Sequence, residues 1–168
     1  MESPILSPWR FTVAPYEGES LSHFLGRFRQ ANHSSPHELG EKTGLGGVLG
    51  RWEKFRFIPP PSGPQLSALA SVVHVDVERL RLMLPPKGVG MKHEPIRLCA
   101  ACYSEEAYHR IEWQFKTARG CDRHQLRLLS ECPKCKARFP IPSRWTASMQ
   151  CQRCLLSFDS MAAFQKEY

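Results

Sequence analysis

CAACYSEEAYHRIEWQFKTARGCDRH, Cys99 to His124, and CPKCKARFPIPSRWTASMQCQRC, Cys132 to Cys154, decide how this chain must fold. Each stretch starts and ends with a pair of potential metal ligands two residues apart. The first pairs are Cys99 with Cys102 and, after eighteen residues, Cys121 with His124. The second are Cys132 with Cys135 and, after fifteen residues, Cys151 with Cys154. A two-residue spacer lets two side chains grip one ion from a tight turn, and two such turns close a tetrahedron. The spacing therefore predicts two zinc ions, with short strands bringing the turns together as in a zinc ribbon. An iron–sulfur cluster also suits the all-cysteine second set. The histidine in the first set favours zinc for both.

All seven cysteines fall in these pairs. An odd count argues against a secreted disulfide framework, and close pairs in a reducing compartment are more often metal ligands. Four protein donors per ion leave no place for water or substrate, so both sites read as structural. His93 and His109 are not needed as ligands and are assigned surface or packing roles. A module with so few apolar residues is often unfolded without its metal. Chelation is accordingly expected to unfold residues 95–158 and to leave the N-terminal helices more intact.

Upstream of the cysteines the pattern is helical. Residues 1–18 read as an extended arm with Pro4, Pro8 and Pro15. Leu21, Phe24, Leu25 and Phe28 then recur at the spacing of one helix face, with Ser20 or Glu19 as cap and Arg27 and Arg29 off that face. Ser35-Pro36 starts a short second helix to about Thr43. Gly44 to Gly46 is a turn, and a third helix over about 47–57 points Val48, Leu49, Trp52 and Phe55 inward. Short helix, glycine turn and longer helix make the outline of a helix-turn-helix. Arg51 and Lys54 face outward there, with Arg56 beyond them. The IPPPSGP run at 58–64 breaks the helix. Helices follow over about 64–74 and 77–84, the latter capped by Asp76.

The expected organisation is thus an N-terminal helical helix-turn-helix bundle over 19–84, a linker over 85–95, and two tandem zinc-ribbon modules over 96–130 and 131–158. A terminal helix over 159–168 completes it. Short strands are expected at Ile111–Phe115, Leu126–Leu129 and Leu155–Phe158.

A formal net charge of +7 favours nucleic acid or another acidic partner. Seven bound thiolates and two divalent ions lower it to about +4. Nine basic residues lie between Lys116 and Arg153, against only Asp122 and Glu131. Around the knuckles the candidate contacts are Arg119, Arg123, Arg127, Lys134, Lys136 and Arg138. Arg51, Lys54 and Arg56 form a second candidate group, and Trp9 and Arg10 on the arm suit a partner contact.

No arrangement for catalysis is visible. The three aspartates, Asp76, Asp122 and Asp159, are scattered, whereas a metal-dependent nuclease needs clustered carboxylates. Neither a phosphate-binding GxxxxGK[ST] loop nor a Gly-x-Ser-x-Gly elbow occurs. No apolar run approaches the ~18 residues of a membrane span. Met1 to Phe11 lacks the pattern of a signal peptide. These readings place the protein inside a cell.

Two segments resemble the TniQ family of Tn7-like transposons. PYEGESLSHFLGRFRQAN, Pro15 to Asn32, is similar to the family's opening, with its Gly-Glu-Ser turn and arginine-bearing helix. RLCAACYSEEAYHRIEWQFKTARGCDRHQLRLLSECPKCKARF, Arg97 to Phe139, follows the family layout: an arginine before the first knuckle, Tyr-His-Arg, Trp113, the CxxH knuckle and a CPxC. Ala100 and Asp122 stand where the family often has proline, and Gln125 where it usually has glycine. No metal ligand is lost by these departures. The short chain is similar to compact members in CRISPR-associated transposons, particularly those with a single-protein, type V effector.

The resemblance implies a non-catalytic target-site adaptor. Such a protein links a CRISPR effector with guide RNA on target DNA to the AAA+ ATPase TnsC, which recruits the transposase TnsB. It implies the bacterial cytoplasm, at the nucleoid when engaged. The alternative is a sequence-specific DNA-binding regulator built on a helix-turn-helix and zinc ribbons.

Overall fold

A computed structural model describes residues 9–168 of the chain. Residues 1–8 of the expected N-terminal arm, including Pro4 and Pro8, lie outside the described residues. Helix α1, Leu21–Ala31, is capped by Ser20, whose hydroxyl accepts from the His23 N–H. Its periodic apolar residues Leu21, Phe24, Leu25 and Phe28 are all fully buried. At its end Asn32 accepts from the Phe11 N–H and donates to the Phe11 and Phe28 carbonyls, which fastens the arm to the helix.

Helix α2, Pro36–Thr43, opens with a capping box between Ser35 and Glu38 and closes on Gly44 in the left-handed conformation. Helix α3, Val48–Glu53, packs on α1 and α2. It is shorter than the sequence predicts, and residues 54–57 are not helical. The reason is Phe55, which takes a φ of 59° and turns its ring, with that of Phe57, into the core. Helix α4, Gly63–Val73, has a second capping box, Ser62 with Gln65. Asp76 caps α5, Val77–Arg81, which ends before the expected Leu84.

The 85–95 segment runs beside residues 114–116. Lys92 N–H donates to the Gln114 carbonyl at 2.7 Å, Lys116 N–H donates to the Gly90 carbonyl at 2.8 Å, and the Gln114 amide donates to the Lys92 and Pro95 carbonyls. Helix α6, Ala100–Glu105, starts directly after Cys99.

The strands of the cysteine-rich half are fewer than expected. Residues Ile111–Gln114 form a 3-10 helix, not a strand, because Ile111, Trp113 and Gln114 all turn inward. Strand β1, Gly120–Cys121, pairs antiparallel with β2, Leu126–Arg127, and Leu126 also bridges Glu167. The second module carries only the bridges Glu131 to Arg138 and Gln150 to Ser157, one beside each knuckle. A 3-10 turn, Pro142–Arg144, and helix α7, Trp145–Ser148, join them. The terminal segment is a 3-10 helix, Asp159–Phe164, and Gln165 leaves it in extended conformation.

Helices and knuckles share one hydrophobic cluster. Trp145 is fully buried and meets Tyr103, Phe139, Phe158 and His109 at centroid distances of 5.1–6.0 Å. Helix α1 packs on residues 142–148 as well as on α3. Gly26 makes that approach possible, since any Cβ there would lie inside the Ser143 backbone. No helix among the described residues is long and apolar enough to cross a membrane.

Two candidate metal centres and the basic surface beside them

Three of the four knuckles are built alike. The residue after the second ligand (Gln125, Lys136 or Leu155) takes a φ between 53° and 63°. Its N–H donates back to the carbonyl of the first ligand at 2.8–2.9 Å. That left-handed turn folds two side chains toward one point. An L residue such as Gln125 pays roughly 1–2 kcal/mol in that conformation, which a glycine would avoid. The fourth knuckle differs: Cys99 is the N-cap of α6, so Cys102 lies one turn into the helix.

The donor atoms of Cys99, Cys102, Cys121 and His124 lie within 4.8 Å of one another, as do those of Cys132, Cys135, Cys151 and Cys154. In the first group Cys102 Sγ is 3.4 Å from Cys121 Sγ and 3.3 Å from His124 Nδ1. In the second, Cys132 to Cys154 and Cys135 to Cys151 are both 3.5 Å. A tetrahedron of thiolates about 2.3 Å from zinc has edges of about 3.8 Å. A disulfide needs about 2.0 Å, and all seven cysteines are free. The donor sets therefore fit two tetrahedral ions, and zinc suits their chemistry.

Backbone N–H groups support the sulfurs. Burial pushes Cys151 up, but N–H donors from Cys154 and Arg153 pull it down to about 7. The neighbouring thiol of Cys102, aided by its own N–H, draws Cys99 down to about 5, and the same contact drives Cys102 upward. Crowded thiols thus share a negative charge that a cation would neutralise.

Side chains beyond the ligands orient the first centre. His124 turns Nδ1 to the thiols and Nε2 to Glu105 Oε1, 2.6 Å away, which fixes its tautomer with the proton on Nε2. Glu105 also accepts from Arg123 at 2.9 Å, and the His124 contact holds its carboxyl below the usual range. From the chain's end Gln165 accepts from the Ala101 N–H, donates to the Arg127 carbonyl and lies 3.7 Å from Cys99 Sγ. Tyr168 closes over Gly120, where any Cβ would strike its ring. Sequence reasoning missed Glu105 and Gln165; a carboxylate three residues after Cys102, on the same helix, was the available clue for the first.

The basic residues separate into groups. Arg51, Lys54 and Arg56 are exposed around the end of α3, although Arg51 donates to the Ile58 carbonyl at 2.6 Å. A groove of 430 Å3 brings Lys54 and Arg56 together with Arg138 and Arg144, so two candidate contacts far apart in sequence share one surface. Arg123 is paired with Glu105, Lys136 lies 3.8 Å from Glu131, and Arg127 reaches the Glu167 carbonyl. Arg119 and Lys134 are exposed. Trp9 is not the exposed anchor its position suggested: it is half-buried, edge-on to Phe28 and under the Lys42 ammonium, 4.1 Å from its ring. Arg10 is exposed.

A comparison with curated proteins finds no match. The family model described as TniQ matches residues 10–128, more than half of the chain, from the arm through α1–α6 and the first metal centre. The second centre follows the matched span. On that match this chain belongs to the TniQ family and is associated with Tn7-like transposition.

Proposed function

We propose that this chain is a non-catalytic target-site adaptor in RNA-guided, Tn7-like transposition. It would bridge a CRISPR effector, with its guide RNA on target DNA, to the AAA+ ATPase TnsC, and so recruit the transposase TnsB indirectly. The TniQ match over 10–128 carries this reading. Two groups of four protein donors support it, since each satisfies a tetrahedral ion and leaves none to activate water. The exposed cations around α3 and the second centre suit contacts to a phosphate backbone, with affinity that falls steeply with salt.

Pull-down of purified TnsC, and separately of effector, guide and target DNA, onto the zinc-loaded protein tests the proposal. Retention of both supports a bridge; retention of neither refutes it. One feature favours a second reading, a sequence-specific DNA-binding regulator: α2, the glycine turn and α3 follow helix-turn-helix order, with Arg51 and Lys54 exposed. Against it, α3 has only six residues to present to a major groove. Tight binding to one duplex sequence by the isolated protein would favour the regulator.

A further inference from the structure

A groove lies away from both metal centres, between the 55–61 turn, α4, and the 84–91 segment. Its volume is 990 Å3, the upper end of pockets that enclose a sizeable ligand. Two features mark it. Much of the lining is apolar and stiff: Leu66 and Leu84 contribute to it together with Pro60, Pro61, Pro85 and Pro86. Ile58 stands beside them 87% exposed, although nothing in the fold requires an isoleucine in water there. The second feature is charge. Arg51, Arg56, Arg81, Lys87 and Lys116 rim the groove, and no aspartate or glutamate lines it among the described residues.

We infer that this groove docks a partner protein through a peptide segment that carries both acidic and large apolar side chains. The basic rim selects negative charge and disfavours basic partners. The apolar bed needs side chains to cover it, with Ile58 as the exposed anchor. Four prolines hold the walls in place before binding, which reduces the ordering cost of association. A single nucleic-acid strand would match the charge but not the bed. Strand-binding grooves stack bases on exposed aromatic faces, whereas Phe55 and Phe57 here are 2% and 7% exposed, and among the described residues the His93 imidazole is the one other aromatic ring along the groove. The inference stands on the groove alone and is independent of the adaptor reading.

Selection from a library of random peptides about 16 residues long, displayed against the zinc-loaded full chain, tests it. The expected winners are rich in Asp or Glu interleaved with Leu, Ile or Phe. A labelled winner, followed by fluorescence anisotropy, should bind about tenfold or more weakly to Ile58→Asp and, separately, to Lys87→Glu with Lys116→Glu. All three residues are exposed, so unchanged metal content and circular dichroism confirm that the variants fold. Failure to enrich any peptide overturns the inference. So does enrichment of basic or wholly polar peptides, or binding indifferent to both variants. A strand of roughly 20 nucleotides whose binding is lost in those variants, with no peptide enriched, would assign the groove to nucleic acid instead.

Discussion

Replacing glycine by alanine should destabilise this protein at Gly26 and stabilise it at Gly50, although both glycines lie inside helices. Alanine gains about 0.8–1.0 kcal/mol over glycine in a helix interior. At Gly50 in α3 an added Cβ meets nothing within 4 Å, so that gain should appear nearly whole. At Gly26 in α1 the Cβ enters the Ser143 backbone and approaches its carbonyl at 3.2 Å. Backbone cannot swing aside as a side chain does, so α1 must move off residues 142–144. Overpacking of this kind costs about 1–3 kcal/mol. A backbone clash belongs at the upper end, which leaves a net loss of about 1–2 kcal/mol at Gly26. Denaturant unfolding of the zinc-loaded variants, compared at equal m value, reads both signs. A Gly26→Ala protein as stable as its parent, or more so, would refute the packing of α1 on the second metal module.

Three further outcomes follow from other contacts. Trp145→Ala should cost roughly 3–5 kcal/mol, read by thermal or denaturant unfolding, because Trp145 is fully buried among rings from both metal modules. Glu105→Ala should weaken metal binding at the first centre by about 10–100-fold in chelator competition and leave the second unchanged, since the carboxylate orients His124, a donor of the first group. Burial holds His109 well below its ordinary 6.5, so it stays neutral when folded and takes a proton on unfolding. Its contribution is complete above about pH 6.5 and is lost as pH falls toward the folded value; unfolding midpoints measured from pH 7 to pH 5.5 should fall less steeply in His109→Gln.

The features legible in the sequence were those that local chemistry fixes. Ser20, Ser35 and Asp76 each cap the helix they precede, because a short polar side chain before an apolar period has one good use. The eight ligands come together in the two expected groups of four. Illegible features depended on distant partners. Phe55 continues the helical period of α3, yet its ring is claimed by the core, and the backbone leaves the helix to deliver it. The Leu155–Phe158 strand is reduced to a bridge because the knuckle turn consumes its residues. Periodicity places Arg27 and Arg29 off the apolar face of α1 but names no partner for them. In fact each makes two contacts with a buried carboxylate: Arg27 with Glu19 at 2.7 and 2.8 Å, and Arg29 with Glu53 at the same distances.

Those buried carboxylates give physical content to the family resemblance. The two segments that carry it, Pro15 to Asn32 and Arg97 to Phe139, are neighbours in space. Ser20 N–H donates to the His109 carbonyl and Ile111 N–H to the Gly18 carbonyl, both at 2.9 Å. The Ser20 hydroxyl meets His109 Nδ1 at 2.8 Å, the Tyr108 hydroxyl donates to the Glu17 carbonyl, and Tyr16 stacks on Tyr108. The Gly-Glu-Ser turn and the Tyr-His-Arg stretch are thus two sides of one seam between the helices and the first metal centre. Glu19 is fully buried in that seam, where burial alone would raise its pKa; His23 and Arg27 hold the carboxyl below the usual range. A buried carboxylate without its cation costs far more than an exposed one. The arginine of the opening motif therefore belongs to the same requirement as the glutamate eight residues before it. Apolar burial is non-directional, whereas these paired polar groups are directional, so the seam ties α1 to the first metal centre in a defined register.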